Sequence, residues 1–77
     1  MPTTLIAGYK FRFYSSDILE PPHMHVLRGG KEAKVWLDPV ELEYNHGYNR
    51  YELNRIMKLT QLNRVRLLEA WNAHFGQ

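Results

Sequence analysis

From Tyr9 to Tyr14 the chain alternates in character, with Tyr9, Phe11 and Phe13 on one parity and Lys10, Arg12 and Tyr14 on the other. A period of two is that of a half-buried strand. Ser15-Ser16-Asp17 supplies turn chemistry, and a loop then runs to Pro21-Pro22. His23 to Arg28 and Lys31 to Leu37 read as two more strands, joined by Gly29-Gly30. Glycine accepts the positive φ that a two-residue hairpin turn requires. Asp38-Pro39 stops that strand, Val40 to Tyr44 is a short further candidate, and Asn45-His46-Gly47 is a turn.

The second half of the chain changes period. Asn49 suits a helix N-cap, and Glu52 stands where it would complete a capping box. Nothing breaks a helix from there to Phe75, and Gly76 suits its end. An unbroken helix over 50–75 would run about 39 Å, long for so small a domain. Its apolar stripe has two parts: Leu53, Ile56, Met57 and Thr60, then Leu67, Leu68, Trp71 and Phe75, with Arg64 between. The pattern predicts an α+β fold: a small antiparallel sheet of three or four strands, covered on one face by a long C-terminal helix. One long helix, with room for a bend near Gln61 to Asn63, is the expectation, and two helices are the alternative.

Closing the hairpin at Gly29-Gly30 pairs Arg28 with Lys31, Val26 with Ala33, His25 with Lys34, Met24 with Val35 and His23 with Trp36. Alternate residues point to opposite faces. Met24, Val26, Ala33, Val35 and Leu37 make an apolar face for the helix, joined by Tyr9, Phe11 and Phe13. His23, His25, Lys34 and Trp36 make the other, joined by Lys10, Arg12 and Tyr14. A slip of one residue would bury the histidines and expose the valines, so the register is well specified.

With 77 residues the chain has room for one domain, spanning 1–77, and 44% hydrophobic content suits a globule. The absence of cysteine excludes a disulfide framework and a thiolate site and favours a cytoplasmic location. Met1 to Ile6 lacks the apolar stretch of a signal peptide, and no segment approaches the roughly 20 apolar residues of a membrane helix. A net charge of +2 tolerates a polyanionic partner without demanding one.

The polar face admits several readings. Polar residues are ordinary on the open side of an antiparallel sheet, but an exposed Trp36 is costly unless something contacts it. Basic residues interleaved with aromatics suit RNA, with Lys10, Arg12 and Lys34 on phosphates and Trp36 stacking a base. A metal-independent endoribonuclease would use His23 and His25 as acid and base and Lys34 to stabilise the developing charge; no cofactor is expected. A metal reading takes His23 and His25 with His46, or with a carboxylate such as Asp17, as third ligand. A non-enzymatic reading makes the face a docking or regulatory surface for another protein, and exposed strand edges would allow a homodimer.

Pro-Pro-His-Met-His-Val at 21–26, Gly-Lys-Glu-Ala-Lys-Val-Trp-Leu-Asp-Pro at 30–39 and Asn-His-Gly-Tyr at 45–48 carry a family resemblance, with Glu-Leu-Asn-Arg-Ile at 52–56 and Leu-Leu-Glu-Ala-Trp-Asn at 67–72. Through them the chain resembles the bacterial "domain of unknown function 4160" family over nearly its whole length. That resemblance implies a short stand-alone protein, often encoded beside a second small protein in what look like toxin–antitoxin pairs. The expected partners are then RNA and a cognate antitoxin-like protein. A weaker analogy is to HicA-type toxins, RNA-cleaving proteins in which a strand histidine would correspond to His23 or His25. This chain lacks the N-terminal helix those toxins place before the sheet.

Overall fold

The computed structural model describes residues 3–76. Five strands come first: β1 (Thr3–Ile6), β2 (Tyr9–Arg12), β3 (His23–Arg28), β4 (Lys31–Leu37) and β5 (Val40–His46). Two helices follow, α1 (Arg50–Leu62) and α2 (Arg64–Phe75). The sheet is antiparallel throughout and its strand order is the sequence order, leaving β1 and β5 as edges. No helix among the described residues is long and apolar enough to cross a membrane.

The expected three or four strands are therefore five. The added strand is β1, which pairs with β2 around a turn at Ala7-Gly8, both with positive φ. As an edge strand it hides little surface, and Leu5 is 65% exposed. The β3–β4 hairpin keeps the register set by Gly29-Gly30, from Arg28↔Lys31 to His23↔Trp36. Between β4 and β5 the register shifts at Lys34/Val35, so β5 carries an irregularity that parity alone would miss.

Tyr9, Phe11, Phe13, Met24, Val26, Ala33, Val35 and Leu37 are buried, packed with Ile56 of α1 and Leu67 and Trp71 of α2. Asn49 caps α1, its side chain accepting from the Glu52 backbone N–H at 2.8 Å. The helical stretch divides at Asn63, whose side chain donates to the Leu59 carbonyl at 2.9 Å. Arg64 then reaches back to the β4–β5 turn, donating to the Leu37 carbonyl and the Asp38 carboxylate, each at 2.7 Å. The charge between the two apolar stripes is thus a tie to the sheet. A 3₁₀ turn, Ser15–Leu19, joins β2 to β3 and governs the functional face.

Candidate functional site

β2 stops pairing at Arg12, which lies opposite His25. His23 therefore has no β2 neighbour, and rings gather around it instead: Trp36 at 5.3 Å, Trp71 at 5.2 Å and His25 at 5.2 Å between centroids. The 3₁₀ turn folds over this end of the sheet. It is held locally by the Tyr14 N–H donating to Asp17 Oδ2 and the Asp17 N–H donating to the Tyr14 carbonyl, both at 2.9 Å. That brings Asp17 Oδ2 to 3.2 Å from His23 Nε2 and 3.5 Å from His25 Nε2.

The histidines expected on an open face are consequently covered. His23 has no exposed surface and His25 retains 9%. Register places them as expected, but the 15–19 turn brings Asp17 to both, Trp71 packs on His23 and Tyr14 on His25. Each ring is fixed through its other nitrogen. His23 Nδ1 lies 2.9 Å from the Pro21 carbonyl, which can only accept, so this nitrogen carries a proton. His25 Nδ1 lies 3.0 Å from Glu32 Oε2, and the Tyr44 hydroxyl donates to the same oxygen. The hydrogen bond from Tyr44, with a second from His25, holds the Glu32 carboxyl below its ordinary value despite the cost of burying it. Burial first, and then the Glu32 carboxylate, push the Tyr44 phenol up to about 12. Glu32 is ionised and Tyr44 protonated at neutral pH.

Lys34 and Trp36 occupy a different electrostatic setting. Lys34 Nζ donates to Glu20 Oε1 at 2.7 Å and sits 4.8 Å from the centre of the Trp36 ring. That bond holds the Glu20 carboxyl below its usual range. The Trp36 indole N–H donates to Glu43 Oε1 at 2.8 Å, and beside the ring a shallow hollow is lined by Pro21, Asp38, Pro39 and Glu41. Trp36 is thus accounted for within the protein, among carboxylates that would repel a phosphate. Lys34, expected as an electrostatic stabiliser, already has a counter-ion.

Lys10 and Arg12 stand at the other end of the face. They line an open groove of about 500 Å³ with Gly8, Leu27, Arg28, Gly29, Gly30, Lys31 and Glu32. Arg12 Nε donates to Thr3 Oγ1 at 3.1 Å, the Arg28 guanidinium lies 5.1 Å from the centre of the Tyr9 ring, and Lys31 pairs with Glu52 at 3.0 Å. Among the described residues Lys10, Arg12 and Arg28 form no ion pair.

His46, considered as a third metal ligand, stacks on Tyr44 at 4.7 Å and stays out of the histidine cluster. Asp17 takes that place: one ligand atom each from Asp17, His23 and His25 lies within 4.8 Å of the others. Arg28, Lys31, Glu20, Glu32 and Tyr44 are not singled out by the sequence. For Glu32 a signal existed, since it shares the parity of Lys34.

No curated protein and no solved structure matches this chain. A family model does, that of the Domain of unknown function (DUF4160), over residues 8–72. That span takes in β2, the 3₁₀ turn, both site histidines, the basic groove and most of α2, and the chain belongs to this family.

Proposed function

We propose that this chain is an RNA-interacting domain that holds a single-stranded sugar–phosphate backbone in the groove formed by Lys10, Arg12, Arg28 and Lys31. One observation carries this reading: four cations line one open groove, and three of them have no ion-pair partner among the described residues. Unpaired cations lining a concave surface raise the local potential beyond what a net charge of +2 suggests. Phosphate contacts release counterions and supply most of the affinity of such a surface.

The activity proposed is binding. A general acid or base must reach the proton it moves, and a fully buried His23 does not reach a groove-bound strand. An RNA partner agrees with the cytoplasmic location expected from a cysteine-free composition. It also agrees with the toxin–antitoxin-like setting implied by the family resemblance, where a cognate acidic protein would compete for the same groove.

The test is a fluorescence titration of a labelled single-stranded RNA across salt concentrations. Four phosphate contacts give log affinity against log salt a slope of about −2.8, from −0.7 per contact for single strands. The Lys10→Ala, Arg28→Ala variant should flatten it by about 1.4 on the same basis. Folded protein that binds no RNA at low salt, or binds it with a slope the variant leaves unchanged, refutes the proposal. An acidic protein that binds this groove while RNA does not would move it to the interaction class.

A further inference from the structure

We infer that Asp17, His23 and His25 form a binding site for a divalent transition-metal ion, with zinc as its natural probe. The inference is independent of the RNA groove and rests on three observations.

The first is convergence of acceptors. His23 Nδ1 faces a carbonyl and His25 Nδ1 faces a carboxylate. Both rings are thereby set as Nδ1–H tautomers, leaving the two Nε2 lone pairs on the side of Asp17. Both Nε2 atoms are buried and have no hydrogen-bond partner. The His23 contact to Asp17 is short enough for a hydrogen bond at 3.2 Å but lacks its alignment. Lone pairs that meet near a carboxylate without pointing at it have the arrangement of ligands around a shared centre.

Spacing is the second observation. Zinc bonds of 2.0–2.1 Å in a tetrahedral arrangement place neighbouring ligand atoms about 3.3 Å apart. The two Nε2 atoms lie 3.2 and 3.5 Å from Asp17 Oδ2. All three ligand atoms lie within 4.8 Å of one another, so an ion seated on Asp17 would draw the two imidazoles toward each other.

The third lies behind the ligands. Metal-binding histidines characteristically donate their other ring N–H to a carbonyl or a carboxylate, which fixes the ring and raises its basicity. Here Pro21 does this for His23, and Glu32, itself held by Tyr44, does it for His25. Two imidazoles and one carboxylate select a borderline ion over magnesium or calcium, which prefer all-oxygen sets. Three protein ligands leave a fourth position for water on the side of Asp17, whose side chain is 15% exposed. The ion would tie the 3₁₀ turn to β3.

The experiment is isothermal titration of the untagged full chain, stripped with chelator, against zinc chloride, followed by cobalt(II) absorption. We expect one ion per chain, the visible bands of four-coordinate cobalt and a rise in Tm. Asp17→Asn, nearly isosteric, should weaken zinc at least tenfold with an unchanged circular dichroism spectrum, as should His25→Gln; His46→Ala should leave it unchanged. Folded wild type that takes up no zinc overturns the inference. So does uptake that Asp17→Asn and His25→Gln leave intact while His46→Ala abolishes it. Either result leaves the groove proposal standing, because the RNA titration needs no metal and can be run with chelator present.

Discussion

The two ends of one sheet, built on the same strands, have opposite characters. At the Lys10 end three of the four cations that line the open groove form no ion pair among the described residues. At the His23 end the polar atoms are gathered: Asp17 over two imidazoles, Glu32 between His25 and Tyr44, Lys34 on Glu20, Trp36 on Glu43. What separates them is the 14–20 segment, which supplies two carboxylates to one end and leaves the other uncovered. A sheet face is therefore not a unit of function. A few residues of irregular chain can turn half of it into interior and leave the rest a binding surface.

The harshest way to break the comparison is to remove what both ends share. Phe11 lies between Lys10 and Arg12 in sequence and is buried on the opposite side. Phe11→Ala should cost about 3–5 kcal/mol, a large part of the stability of a domain this small. Urea unfolding should show it, with RNA and zinc binding failing together. Glu32→Ala is more selective: loss of the partner behind His25 should weaken zinc about 10- to 100-fold. RNA affinity should hold or rise, since a negative charge leaves the groove wall; a fall in both would mean that the ends are coupled. Lys34→Ala sharpens the line between them. Its charge is already matched by Glu20, so RNA affinity should change by less than about twofold, against about tenfold for loss of two unpaired groove cations. A large loss would extend the RNA surface to Trp36.

A further prediction concerns the core beneath the groove. The Tyr48 hydroxyl donates to the Val26 carbonyl at 3.0 Å, and burial above all pushes its phenol up to about 12. Because the folded value is raised, the stability linked to it is fully present below pH 10 and is lost as pH climbs toward 12. Tyr48→Phe should cost about 1 kcal/mol at neutral pH and show a flatter decline between pH 10 and pH 12 in urea melts. An equal decline would place the alkaline sensitivity elsewhere.

Much of this fold was legible because it is encoded locally. Gly29-Gly30 fixes the hairpin register, and Asn49 and Glu52 mark the start of α1; the interrupted stripe around Arg64 allows a bend, where the chain in fact divides into two helices. β1 was not legible, since an edge strand with its outward residues in solvent needs no apolar pattern. In the site, parity identified the face but not its depth. Asp17 reads as a turn residue, and nothing in Ser15-Ser16-Asp17 says which way the turn will fold. Glu20 meets Lys34, and Trp71 meets His23, only after the chain has packed. Charge pairing across such separations is tertiary information, which is why Lys34 and Trp36 look available in the sequence and are engaged in the structure.

The order of elements along the chain also bears on how the protein is made. Each strand pairs with its neighbour in sequence, so the sheet can grow hairpin by hairpin without closing a long loop. Both helices follow the last strand. On a translating ribosome, then, all five strands emerge while the residues that cover Val26, Val35 and Leu37 are still in the exit tunnel. Until α1 and α2 arrive, the nascent chain presents a bare apolar sheet with two open edges, the form most prone to self-association. The helices act as a late-arriving lid on that sheet.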